Sequence, residues 1–124
     1  STFFSVITTC IVDGKPMAAT SVPFIENGRT YLGIRDMAYA MGISDDFVKW
    51  DQATQTATIT KNGVTVEVTV GAAAIKVTKD NVTTETAIDA PAKNVNGRVF
   101  LPFRAVFEAF GYEVEYANGV ITCK

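Results

Sequence analysis

Two stretches of the chain spell out the same order of events. "ENGRTYLGIRDMAYAMG" at residues 26–42 and "NVNGRVFLPFRAVFEAFG" at residues 94–111 each run Asn-Gly-Arg, a short apolar run, an Arg, an apolar stripe and a closing Gly. Gly97 follows Gly28 by 69 positions (97 − 28), and the same shift carries Asn27 to Asn96, Arg29 to Arg98, Leu32 to Leu101, Arg35 to Arg104, Ala40 to Ala109 and Gly42 to Gly111. Each copy predicts the same local events. Asn-Gly between apolar flanks predicts a hairpin, because a type I′ turn needs positive φ at both central residues. Ile34, Met37, Ala38 and Met41 then fall at i, i+3, i+4 and i+7, as do Phe103, Val106, Phe107 and Phe110. That spacing predicts amphipathic helices over 34–41 and 102–110. Pro102 takes a first-turn position where a missing N–H is harmless, and Gly42 and Gly111 supply left-handed stops.

Strand patterns fill the rest. "VKW" at 48–50 corresponds to "VEY" at 114–116, after a loop three residues longer in the first copy. Between the copies Val64, Val66, Val68 and Val70 alternate with Thr65, Glu67 and Thr69, the pattern of a half-buried strand. Asp13-Gly14, Asn62-Gly63 and Lys79-Asp80-Asn81 mark further turns. Each copy reads hairpin, helix, strand pair. One short helix does not cover a sheet alone, so the halves are expected to share a core. The expected fold is α+β: one domain over 1–124 with a twisted, mostly antiparallel sheet and two short helices. It is built from two pseudo-repeats at approximately 10–61 and 74–124, with an N-terminal strand extension at 1–9.

Composition narrows the chemistry. Of 124 residues 48% are apolar and 19% charged, and the net charge is −2, which favours a folded core over disorder. No basic patch of the kind nucleic acid requires is visible. No apolar run reaches the roughly 20 residues of a membrane helix. The chain has no His. That removes the usual general base near neutral pH, Ser-His and Cys-His nucleophile pairs, and any His-containing zinc or copper site. No leader-like segment, basic and then apolar, is visible at Ser1.

The order apolar-x-x-Asn-Gly-Arg-Thr, an apolar run, Arg-x-apolar-Ala-x-Ala-apolar-Gly, then "VKWD" and "TATIT", resembles the copper amine oxidase N-terminal-like ("stalk") domain. The resemblance covers roughly residues 10–124. It implies a non-catalytic module of secreted and surface proteins of Gram-positive bacteria, with no cofactor, since the copper ligands of those oxidases are His in another domain. Gly33, where the second copy has Pro102, departs from the pattern and predicts a less rigid start to the first helix. The leading "STFFSVI" lies outside the motif.

Other constellations admit a plain reading and a sharper one. Arg29, Arg98, Arg35 and Arg104 are either anion-binding forks or surface support, with Arg104 and Glu108 as i, i+4 partners; the second is favoured. Asp45, Asp46 and Asp51 lack the alternation of a calcium loop and read as turn and capping residues. Trp50 and Tyr116 hold equivalent positions, which favours packing over a sugar-stacking platform, whereas Tyr39 lies off its helix's apolar stripe and reads as exposed. Cys10 and Cys123 are two buried thiols on the plain reading and a disulfide on the sharper one, which requires an oxidising compartment.

The doubled motif therefore reads as a folding unit, without catalysis. The expected function is an extracellular structural module, a self-associating cell-surface or filament subunit. The alternative is a module binding cell-wall polysaccharide or peptide, and a carboxylate hydrolase is the least favoured. In the leading segment Phe3 and Ile7 lie on one strand face, and Phe4 and Val6 on the other. A strand apolar on both faces is expected to dock on a neighbouring subunit's open sheet edge.

Overall fold

The Asn-Gly pairs set the chain's reversals. Asn27 and Gly28 have φ of 51° and 77°, and Asn96 and Gly97 have 53° and 82°. Both residues of each pair are therefore left-handed, as the tight primed turn requires. The computed structural model describes residues 9–124. The leading strand expected over 3–12 is described only as β1 (Thr9–Val12). The assembly residues Phe3, Phe4, Val6 and Ile7 lie outside the described residues.

Among the described residues thirteen strands follow one another with two α-helices among them. The first group is β1, β2 (Lys15–Pro16), β3 (Phe24–Glu26) and β4 (Arg29–Gly33), which leads into α1 (Ile34–Ala40). A 3-10 turn at Asp45–Phe47 precedes β5 (Val48–Asp51) and β6 (Thr56–Lys61). The middle of the chain is a meander of β7 (Val64–Thr69), β8 (Ala74–Lys79) and β9 (Val82–Ala87). The last group is β10 (Lys93–Val95), β11 (Arg98–Pro102), α2 (Arg104–Ala109), β12 (Val114–Ala117) and β13 (Val120–Cys123). The class is α+β.

In place of one sheet there are three, with strand orders β12-β13-β1-β2, β10-β11-β4-β3 and β5-β6-β7-β8-β9. The physical reason is the helices: each carries the chain out of the sheet that its hairpin belongs to, so the strands that follow pair elsewhere. All neighbours are antiparallel except β1 and β13, which run parallel from Thr9 beside Val120 to Val12 beside Cys123. At the centre of the second sheet β4 meets β11, with Leu32 opposite Leu101, Gly33 opposite Phe100 and Tyr31 opposite Pro102. Leu32 and Leu101, 69 positions apart (101 − 32), thus face one another at the centre of this junction.

Both helices are shorter than their periodicity predicts. Pro102 ends β11 rather than opening the second helix, and Phe103 is the residue that caps it. The fixed φ of proline suits an extended residue as well as a helical one, and pairing with Tyr31 selects the former. The helix ends share a construction. Gly42 N–H donates to the Tyr39 carbonyl and Ile43 N–H to that of Ala38, at 3.0 and 2.9 Å. Gly111 N–H donates to Glu108 and Tyr112 N–H to Phe107, at 3.0 and 3.1 Å. These are Schellman closures, with the glycines at φ 81° and 90°. The accompanying apolar contact is visible in the second helix, where the Phe107 and Tyr112 rings meet edge-on at 6.0 Å.

Buried residues of both helices and all three sheets form one cluster, with Leu32, Met37, Ile59, Val66, Leu101, Phe107 and Ile121 among its fully enclosed members. In the five-stranded sheet Ala57, Ile59, Val66, Val68 and Ile75 point to that cluster, while the other face is ruled by threonine pairs such as Thr56–Thr69 at 2.9 Å and Thr78–Thr83 at 2.8 Å. Two-residue alternation thus decides which face is wet.

Candidate functional site

The most constrained polar group is Asp36, in the first turn of α1 and only 1% exposed. Its carboxylate accepts four hydrogen bonds from one short segment: Thr20 N–H (3.0 Å) and hydroxyl (2.6 Å), and Ser21 N–H (3.1 Å) and hydroxyl (3.0 Å). Four donors leave neither oxygen wanting a partner, which is the condition for keeping a carboxylate inside. Gly33 makes room for this arrangement. Its φ of −67° is open to any residue, but a Cβ there would stand 2.6 Å from Ser21 Oγ. The first helix start is therefore firmly tied, the reverse of what Gly33 suggests in the sequence. Arg98, from the other hairpin, completes the link by donating from Nη1 to Thr20 Oγ1 at 3.1 Å.

Two grooves flank the β4–β11 junction, each with a volume of about 240 Å³. The first is lined by Ser21, Arg35, Lys49, Trp50 and Arg98, with Asp36 at its base. The second is lined by Ile25, Arg29, Asp89, Phe103, Arg104 and Tyr116. Each combines the hairpin arginine of one half with the helix arginine and the strand aromatic of the other. Trp50 is 38% exposed and Tyr116 45%, so each ring packs on one side and lines a groove on the other. The indole N–H of Trp50 donates to Gln52 Oε1 at 2.8 Å, which ties its polar edge. Tyr116 stacks on Phe103 at 6.2 Å. Among the arginines, Arg29 Nη1 donates to the Asn27 carbonyl at 3.2 Å, and Arg104 Nη1 donates to that of Val114 at 3.0 Å.

Tyr39 belongs to neither groove. It is 39% exposed, and its hydroxyl donates to Asp45 while Arg35 Nη1 donates to the same carboxylate at 2.5 Å. Tyr39, Trp50 and Tyr116 thus do not line one common groove. Asp51 accepts from the N–H groups of Ala53 (2.9 Å) and Thr54 (3.3 Å), which is turn duty. No group of three or more His, Cys, Asp and Glu placed to hold a metal ion occurs among the described residues. No described helix is long and apolar enough to cross a membrane.

The disulfide reading is corrected. Cys10 and Cys123 are free buried thiols. They lie on neighbouring parallel strands, Cys10 level with Ile121 and Cys123 with Val12, and the two thiols hydrogen-bond to one another across the two-residue stagger. Burial pushes the Cys10 thiol up to about 12, and the neighbouring Cys123 adds to the rise. Burial likewise lifts Cys123 to about 11. Neither has the lowered pKa of a reactive thiol. Nearby, the Tyr112 hydroxyl donates to Asp13 Oδ2 at 2.8 Å. Burial, then that bond, raise its pKa to about 12.

Sequence reading missed Asp36 and the Thr20-Ser21 segment. The only signal was a carboxylate at a helix start and two hydroxyl residues 15 and 16 positions away, a separation that no local pattern connects. The two grooves were also missed, because each draws on both halves.

The family described as copper amine oxidase N-terminal domain matches this chain over residues 11–124. No curated protein and no solved structure matches it.

Proposed function

The chain belongs to the copper amine oxidase N-terminal domain family, and from that premise we propose that it is a non-enzymatic structural module, secreted or held at the cell surface, which associates with copies of itself. Membership fits a non-catalytic module, and a chain without His lacks the usual proton carrier of hydrolytic sites. On this reading the chain is one domain of two pseudo-repeats. The support is the repeated 69-residue offset and its meeting point at Leu32 and Leu101.

The observation that carries self-association is β9. Among the described residues it is the last strand of the five-stranded sheet, pairs only with β8, and every one of its residues is exposed. Val82 at its start is 61% exposed. An edge of this length, rich in β-branched residues, is a template for one more strand. The apolar leading segment with Phe3, Phe4, Val6 and Ile7 has the composition of a donor. Repeated head to tail, such a contact gives a filament rather than a closed ring.

The test is electron microscopy and sedimentation of the intact chain, of a truncation starting at Thr8, and of Glu85→Pro in β9, which removes an N–H that faces away from β8. The intact chain should assemble and both variants should stay monomeric. Equal assembly by the truncation, or strict monomers throughout, overturns the reading. A second reading, binding of cell-wall saccharide, draws its support from the two exposed rings Trp50 and Tyr116 on groove walls.

A further inference from the structure

We propose that the two grooves are a pair of equivalent subsites for a saccharide that carries carboxylates, of the uronic-acid type. This rests on the second reading above and adds the charge of the ligand, the residues that hold it and the number of sites. The charge comes from the lining. The first groove has three cations, Arg35, Lys49 and Arg98, against two carboxylates, Asp36 in its lining and Asp45, which pairs with Arg35 from outside it. The Asp36 carboxylate is already engaged by four donors from Thr20 and Ser21. The second has Arg29 and Arg104 against Asp89. Both are cationic on a chain whose net charge is −2. Arg98 and Arg35 each make their internal hydrogen bonds through Nη1, and a guanidinium carries five N–H donors in a fork that suits a carboxylate.

The sugar assignment comes from the walls. Each groove has one exposed aromatic ring, Trp50 or Tyr116, beside its arginines. A flat ring next to a guanidinium fork matches a pyranose whose apolar face can stack while its carboxylate is paired. The tether from the indole N–H to Gln52 holds the Trp50 ring in place without using its face. An acidic peptide is the competing occupant, since the edge strands β5 and β3 contribute Lys49 and Ile25 to the grooves; the exposed ring beside each arginine pair is what favours the sugar. Two like grooves on one domain also suit a polymer with a repeating unit, since the second contact is then made at high effective concentration.

The experiment is calorimetric and NMR titration of the intact chain, held monomeric at low concentration, with oligogalacturonate, a neutral cello-oligosaccharide and oligoglutamate. Oligogalacturonate should bind most tightly, perturb residues of both grooves, and weaken as salt rises. Trp50→Ala and Arg98→Gln should each weaken binding at the first groove on the order of tenfold. Both positions are exposed, and Arg98→Lys, which keeps the charge but loses the fork, should fall between. Preference for the neutral sugar overturns the acidic assignment and leaves the saccharide reading standing. Equal binding of oligoglutamate, untouched by Trp50→Ala, overturns both in favour of peptide. Binding of none of the three also overturns both, and none of these outcomes bears on assembly.

Discussion

Strand β4 enters its helix through Gly33, Ile34, Arg35 and Asp36; strand β11 enters its helix through Pro102, Phe103, Arg104 and Ala105. The positions correspond one to one and the chain turns the same way, yet the chemistry is opposite. At the first start a buried carboxylate gathers a distant segment by four hydrogen bonds, and the preceding residue has no Cβ so that Ser21 can approach. At the second, a proline ring fixes the backbone, and Phe103 packs on Tyr116. One fold element can thus be fastened by a polar cage or by apolar stacking. The cage depends on residues far away in sequence, and the stack on residues close by.

This contrast can be broken or sharpened by measurement. The largest loss of stability is expected in alkali, because three raised groups act together and all belong to the second half's surroundings. Cys10, Cys123 and Tyr112 are held at about 12, 11 and 12, against ordinary values of 9.0, 9.0 and 10.0. A folded pKa above the unfolded one means that the folded state keeps its proton longer. The stabilisation is therefore complete below about pH 9 and lost as pH rises toward 11–12. The positions of the first half that correspond to Tyr112 and, by register, to Cys123 are Ile43 and Ile59, which do not titrate. Urea midpoints followed from pH 8 to 12 should fall less steeply in Cys10→Ala/Cys123→Val than in the parent. Parallel curves would remove the thiols from the account.

Next is the shared core. Phe107→Ala should cost about 3–5 kcal/mol, and Met37→Ala about 2–5 kcal/mol, by loss of burial plus the cavity left behind. Both variants should melt in a single transition, and two separate transitions would show that the halves have independent cores. Third, Asp36→Ala should cost on the order of 2–3 kcal/mol, since it strands the N–H groups of Thr20 and Ser21 without a partner. The mirror substitution Ala105→Ser at the second start should be nearly silent. Equal effects at the two starts would erase the contrast. Fourth, Gly33→Ala should cost about 1–2 kcal/mol through crowding with Ser21, and Ser21→Gly should remove most of that penalty in a double-mutant cycle. Smallest are the exposed ion pairs: Asp45→Asn beside Arg35 and Glu108→Gln beside Arg104 should each move stability by less than about 1 kcal/mol.

What the sequence made legible follows the range of the interactions. The reversals at Asn27-Gly28 and Asn96-Gly97, the helix stops at Gly42 and Gly111, and the buried stripes through Met37 and Phe107 are decided within a few residues, so turn chemistry and 3.6-residue spacing reveal them. Pro102 was misplaced because proline fits both a strand end and a first helical turn, and the choice is made by pairing with Tyr31 across the sheet. Gly33 suggested looseness because a glycine in sequence does not show whether it serves backbone freedom or space. Here it serves space. Asp36 and the grooves depend on partners 15 to 78 residues away, and no periodicity encodes such meetings. The equivalence of Trp50 and Tyr116 says only that two positions share a role, not how much of each ring faces water.

The parallel pairing of β1 with β13 has a mechanical consequence. Wherever the chain continues, tension arriving before Thr9 and leaving after Lys124 pulls these strands along their length in opposite directions. Their register runs four residues, Thr9 beside Val120 through Val12 beside Cys123. It is extended by Asp13 N–H to the Cys123 carbonyl and by Thr9 N–H to that of Gly119. Under that load the hydrogen bonds of β1 and β13 are sheared together instead of being opened one after another, as they would be in a hairpin pulled apart at its ends. A module clamped in this way should yield at high force in a single step, and antiparallel hairpins such as β8–β9 should carry little of the strain.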